Sequence, residues 1–265
     1  MNKENNDHQV TPFAITNYRD SCQTFGIRQK DRGGHMYIVG KTGTGKSTLL
    51  ENLIYSDIRA GEGFALIDPH GDLAEKVLSV ITKERVQDVI YFNPADIEYP
   101  IAFNPLEKTH PDHHHLVASG LISVFKKLWS EFWGPRMEHI LRNSIMALLE
   151  YPNSTLVDIP RLLTDDSFRK EVVLMLKNQQ VKDFWLQEFD KYSKSYKADE
   201  SSPILNKIGQ FLTTLPIRNI VAQNKSSFDL REVMDQKKIL VVNLSKGKIG
   251  EDSTALLGAM LVTKL

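Results

Sequence analysis

The first third of the chain alternates short apolar runs with stretches of helical periodicity. "MYIV" (36–39), "FALID" (64–68) and "DVIYF" (88–92) are compact apolar runs of strand length, with glycine or charge close by, and read as buried strands. Between the first two, Leu49, Leu50, Leu53, Ile54 and Ile58 share one helical face, which Gly61 and Gly63 end. After the second, Asp72 is a candidate cap for a helix carrying Val77, Leu78 and Ile81. Strand–helix–strand alternation predicts an α/β fold with a parallel sheet and right-handed crossovers.

From about Pro105 the period becomes helical throughout. Leu116, Val117, Leu121, Val124, Phe125 and Leu128 form one stripe, broken by "WGP" (133–135). Met137, Ile140, Leu141, Ile145 and Leu148 form the next, up to Tyr151-Pro152. Further helices are expected over 165–177, 181–197, 203–215 and 229–236, with "SSP" (201–203) supplying a cap and a first-turn proline. Strand character returns in "KILVVNL" (238–244), followed by a helix from about Ser253. The expected organisation is an N-terminal extension (1–30), the first part of an α/β core (31–104), an all-α insertion (105–236) and a return to the core (237–265). "STALLGAMLVTKL" stops in mid-helix with no following strand, so the chain reads as a fragment.

Composition changes little in this picture. Lys+Arg and Asp+Glu are both 33, so no global basic field points to nucleic acid, although a local groove is compatible with zero net charge. The single cysteine, Cys22, rules out an internal disulfide framework and suits a reducing cytoplasm. The polar start "MNKENNDHQV" lacks the apolar centre of a signal peptide, and no apolar run approaches the ~20 residues of a membrane span.

The chemistry lies between the first strand and the first helix. Gly40, Lys41, Thr42, Gly43, Thr44, Gly45, Lys46 and Ser47 satisfy G-x-x-x-x-G-K-[ST], the phosphate-binding loop. Its glycines let consecutive backbone N–H groups curl around phosphate oxygens, and the helix that follows adds its positive end. Lys46 is placed to reach the β- and γ-phosphates and the Ser47 hydroxyl to ligate Mg²⁺. No N-K-x-D guanine-reading motif accompanies it, since "NKIG" (206–209) lacks the aspartate, so ATP is favoured over GTP.

A carboxylate is expected at the end of an apolar strand beside this loop. Asp68, in "IDPHGD", is the candidate, with a turn-forming hydrogen bond as its alternative role; the position after "ILVV" is the neutral Asn243. No apolar run ends in Asp-Glu, so the residue that would activate water is expected beyond Leu265 or is missing. "HPDHHH" (110–115) has spacings compatible with a metal, against the plainer reading of a solvated helix start. Trp185, Phe189, Tyr192 and Tyr196, interleaved with Lys182, Lys191, Lys194 and Lys197, fit either a stacking surface for single-stranded nucleic acid or an amphipathic helix. Arg136 is open to two readings, an arginine finger or a capping or salt-bridge residue.

"DRGGHMYIVGKTGTGKSTLL", "ALIDPHGDLAEKVL", "DVIYFNPADIEYPIAFNPLE" and "WGPRMEHILRN" resemble the conjugative type IV secretion coupling ATPases. These TraD/TraG-like proteins sit in the HerA/FtsK branch of RecA-like P-loop motors. "ILNKIGQFLTTLPIRNIV" and the stretch from "SSFDLREVM" to the end are similar too. The resemblance implies a RecA-like P-loop NTPase with an all-α insertion, forming a hexameric ring that threads single-stranded or duplex DNA. It implies nucleotide contacts at Gly43, Gly45, Lys46, Ser47 and Thr48, with Asp68 near the site, and ATP and Mg²⁺ as cofactors. It also implies a cytoplasmic protein, peripheral to a membrane secretion complex, with relaxosome or secretion proteins as partners. The missing Asp-Glu strand leaves a non-hydrolysing nucleotide-binding module and a protein-secretion ATPase as alternatives.

Overall fold

The computed structural model describes residues 10–107 and 110–265; most of the polar N-terminal stretch lies outside the described residues. In chain order, strands β1 (Val10–Ile15) and β2 (Thr24–Arg28) precede α1 (Lys46–Ala60), β3 (Phe64–Asp68), α2 (Asp72–Ser79) and β4 (Val89–Phe92). Helices α3 (His114–Leu128), α4 (Pro135–Glu150), α5 (Asp158–Thr164), α6 (Asp166–Met175) and α7 (Gln179–Asp183) follow. A π-helical turn, Phe184–Glu188, leads towards α8 (Lys194–Thr213), α9 (Leu215–Val221) and α10 (Leu230–Asp235). Then come β5 (Ile239–Asn243), α11 (Lys246–Ile249) and α12 (Glu251–Lys264). The chain forms two compact units, one holding the described residues up to Tyr91 with Arg231–Asn243, the other Phe92–Leu230 with Leu244–Leu265.

In the first unit, β5 lies at the centre of a three-stranded sheet ordered β3-β5-β4. It pairs in parallel with β3 from Phe64↔Ile239 to Asp68↔Asn243, as the strand–helix alternation requires. Every residue of β5 is buried, so its continuous apolar run is that of a strand covered on both faces. Ile54 and Ile58 of α1 and Ala74 and Val77 of α2 close over Ile239 and Val241 to make the core. Leu50, expected on the buried face of α1, is instead exposed.

Two parts of this unit depart from the sequence reading. The expected strand 36–39 is absent from the sheet, and three of its side chains are exposed, Met36, Tyr37 at 91% and Val39 at 75%, with Ile38 partly buried. A strand needs a neighbour for its backbone N–H and C=O groups, and this run pairs with none of β3, β4 and β5. The extension 1–30, for which no element was expected, contains an antiparallel hairpin, β1–β2, with Phe13 edge-on to Phe25 at 5.6 Å.

The second unit is helical. Its core is built from Ile140, Leu141, Ile145 and Leu148 of α4, Leu162 of α5, Trp185 and Phe189 around the π turn, and Ile204 of α8. The expected helix 181–197 breaks after Lys191, and α8 starts nine residues earlier than the "SSP" signal suggests. Ser193 caps it, its hydroxyl accepting from the Tyr196 N–H at 3.2 Å, and Pro203 lies inside the helix. The local cap at Ser193 prevails over the proline, although Pro203 removes a ladder donor and crowds the Asp199 carbonyl one turn before it. The α12 helix packs on α3, whereas the sequence pattern groups it with the α/β core. Among the described residues no helix is long and apolar enough to cross a membrane.

Candidate functional site

The glycine-rich loop runs directly into α1. Gly43 and Gly45 have φ of +82° and +92°, the left-handed region, and nothing lies within 4 Å of where a Cβ would stand on either. Gly45 is the N-cap and offers no side chain, and the first turn of α1 contains no acidic residue. The first intrahelical bond runs from the Leu49 N–H to the Gly45 carbonyl, so the N–H groups before Leu49 have no acceptor within the helix. Ser47 and Thr48 are exposed in that same turn.

The loop is held by its own polar groups. Thr44 Oγ1 donates to the Lys41 carbonyl at 2.8 Å, and Lys46 Nζ donates to the carbonyls of Gly40 and Lys41, both at 2.8 Å. The lysine thus lies across the loop, its charge over the concave face. Open backbone donors, the positive end of a 15-residue helix and an ammonium group converge there. That set fits an anion, and its succession of N–H groups fits a chain of phosphates. Ser47 is the hydroxyl placed to reach a phosphate-bound Mg²⁺.

Asp68 ends β3 and is buried. Its Oδ1 accepts from the His70 N–H at 2.9 Å, and its Oδ2 from Leu73 and Ala74 at 2.9 and 3.0 Å. Burial works to raise its pKa, but the backbone donors of His70, Ala74, Gly71 and Leu73 outweigh it and hold the carboxyl below the usual range. Asp68 rather than Asp72 therefore caps α2, through the "DPHGD" turn, in which Gly71 has φ of +94°. Across the strand pair, Asn243 donates from Nδ2 to the Tyr91 hydroxyl at 3.0 Å.

The remaining candidates separate. His110 accepts from the Asp112 N–H, and His113 and His114 straddle the start of α3. The aromatic stripe splits: Trp185 and Phe189 are fully buried, whereas Tyr192 and Tyr196 are half-buried. Arg136 pairs with Glu200 at 2.9 Å. One ion pair that local sequence reading missed ties the segment before the loop to α1: Arg32 engages both carboxylate oxygens of Asp57. A buried acid on an otherwise apolar helix face was its one sequence signal.

The family described as "Type IV secretion-system coupling protein DNA-binding domain" matches residues 21–261. The Type 4 coupling protein DotL of Legionella pneumophila subsp. pneumophila (strain Philadelphia 1) is 24% identical over an alignment covering 100% of this chain. The chain spans 39% of the length of that relative. The bacterial conjugative coupling protein TrwBdeltaN70, solved in an unbound form, superposes with a TM-score of 0.57 at 16% identity, over 99% of this chain and 56% of that one. This likeness shows the fold, a RecA-like α/β arrangement with a parallel sheet and many added helices.

Proposed function

Since this chain belongs to the type IV secretion-system coupling protein DNA-binding domain family, we propose that it is the nucleotide-gripping part of a DNA-translocating ATPase. The observation that carries the reading is the uncapped, glycine-led N-terminus of α1 with Lys46 lying over it. Gly40, Lys41, Thr42, Gly43, Thr44 and Gly45 wrap the phosphates, Lys46 neutralises their outer charge, and Ser47 and Thr48 meet the metal and the inner phosphates. Mg²⁺ supplies charge neutralisation on the phosphates when bound. To reach a nucleotide, Lys46 must exchange its two carbonyl acceptors for phosphate oxygens, a change confined to one half-buried side chain. Asp68, with both oxygens committed to backbone donors, acts by shaping the "DPHGD" turn near the site.

The working assembly in this proposal is a hexameric ring that threads single-stranded or duplex DNA. It stands on the cytoplasmic side of a secretion complex and meets relaxosome or secretion proteins through the helical unit. The test is ATP turnover by the full-length protein. Turnover stimulated by DNA and abolished by Lys46→Ala supports a DNA motor; turnover indifferent to DNA points to protein cargo instead. A second reading, a nucleotide-gated module that does not hydrolyse, is favoured by one observation. Of the two strand ends, β5 ends on the neutral Asn243, and the Asp68 carboxylate on β3 is engaged by three N–H groups. Tight binding of MgATP with no turnover, with DNA present, would support it.

A further inference from the structure

The helical unit holds a recess of about 340 Å³ lined by charged and aromatic groups. Arg136 and His139 reach it from the first turns of α4, Glu188 from the π turn, Tyr192 from the segment before α8, and Tyr196 and Glu200 from α8 itself. Trp185 and Phe189, on either side of Glu188 in sequence, lie in the core. The π turn, with its added residue, leaves Glu188 at the recess while its aromatic neighbours stay inside.

The chemistry of the recess is specific. Tyr192 and Tyr196 stand edge to face, with ring centroids 4.7 Å apart. Glu188 accepts from the Tyr192 hydroxyl at 2.5 Å and pairs with His139 Nε2 at 3.3 Å. The Arg136 guanidinium lies 5.7 Å from the Tyr196 centroid and 2.9 Å from Glu200 Oε1. An aromatic face beside a carboxylate is the combination that recognises a guanidinium or an ammonium group. Arg136 occupies it weakly. Its side chain is 71% exposed, and it is the second residue of α4, where the helix dipole disfavours a cation.

We infer that this recess is a docking site for an arginine or lysine side chain presented by a basic segment of a partner protein, and that Arg136 is a placeholder the incoming cation displaces. With His139 neutral, two carboxylates stand against one guanidinium and the recess is acidic, so a nucleic-acid phosphate is repelled where a basic peptide is attracted. Two of the four rings of the aromatic stripe, Trp185 and Phe189, are in the core, which removes the extended platform that base stacking needs. The site belongs to the helical unit and does not depend on the nucleotide reading of the glycine loop.

The test is a nuclear magnetic resonance titration of the whole chain carrying ¹³C-labelled tyrosine rings. The probes are a capped Ala-Arg-Ala peptide, its citrulline counterpart of equal shape without charge, and a thymidine hexanucleotide. The arginine peptide is expected to shift the Tyr192 and Tyr196 resonances saturably. Its affinity should rise roughly five-fold in Arg136→Ala, which removes the competing internal cation and an exposed side chain only. Adding Glu200→Gln to that variant should weaken binding by about tenfold or more. The citrulline peptide should produce no saturable shift. The inference is overturned by no saturable response to the arginine peptide in Arg136→Ala, by an affinity unchanged by that substitution, by an equal response to citrulline, or by preference for the hexanucleotide.

Discussion

Arg32 and Asp57 meet through both guanidinium amines and both carboxylate oxygens, the Nη2–Oδ2 contact measuring 2.7 Å. Arg32 lies just before the segment that enters the glycine loop, and Asp57 is buried on α1, three turns beyond the loop. The pair therefore fixes the approach to the loop against the helix that the loop opens. Arg32→Ala leaves a buried carboxylate without its main cation, and a loss of about 2–4 kcal/mol in unfolding free energy is expected. Arg32→Lys, which keeps charge but cannot make the two-point contact, should recover part of it. Urea denaturation of the three proteins checks this. Equal midpoints would remove the pair from the account.

Gly63 precedes β3, and a Cβ there would stand 2.5 Å from the Lys237 carbonyl carbon and 2.7 Å from the Lys238 carbonyl oxygen. Both are backbone atoms just before β5, so neither can swing away. Gly63→Ala is expected to cost about 1–3 kcal/mol by forcing the β3–β5 pair apart at its first rung. Chemical denaturation measures the loss, and a neutral substitution would contradict this register.

Glu138 accepts from the Trp133 indole at 2.7 Å, from Lys126 at 3.1 Å and from Arg142 at 3.1 Å. The indole bond and the Lys126 bond, with Arg142 adding to them against the opposing effect of burial, bring its pKa down from 4.5 to about 2. A depressed carboxylate pKa stabilises the fold above the unfolded value and loses that contribution as protons bind the folded state. The Glu138 contribution is therefore complete above pH 4.5 and fades as the pH falls towards 2. Thermal melts should show wild type losing more stability than Glu138→Gln across that window. Parallel curves would mean that Glu138 is not coupled to folding.

Asp68 holds the N-terminus of α2 through the N–H groups of Leu73 and Ala74. Asp68→Ala removes a side-chain cap, and a loss of about 1–2 kcal/mol is expected, concentrated in that turn. Faster amide hydrogen exchange at Leu73 and Ala74 than in the rest of α2 checks it. Uniform exchange across the helix would argue against the cap.

The parts of the fold legible in sequence are those whose apolar runs are long and continuous enough to demand burial wherever the covering helices come from. "FALID", "DVIYF" and "KILVVNL" became β3, β4 and β5 because each brings an apolar run to the core closed by α1 and α2, close in sequence to β3 and β4 and distant from β5. The run 36–39 is equally apolar, but whether it forms a strand depends on a partner edge, which apolarity alone does not supply. The β1–β2 hairpin was hidden for a related reason, since most of its residues are partly or fully exposed and its alternation is weak. At the site, the loop was legible because each glycine has a local backbone reason. The engagement of Asp68 with His70, Leu73 and Ala74 was one of two roles the sequence left open. Arg32–Asp57, 25 residues apart, and Arg136–Glu200, 64 apart, depend on tertiary placement, to which local periodicity is blind.

In the proposed function, the open N-terminus of α1 and Lys46 grip the phosphates of a nucleotide. Calorimetric titration of the purified chain with MgATP tests it most directly. One saturable site is expected, weakened by at least about tenfold in Lys46→Ala, with that variant's melting behaviour close to wild type because the half-buried side chain bonds only to carbonyls of the exposed loop. Absence of binding by the wild-type chain, or equal binding by Lys46→Ala, would contradict the account.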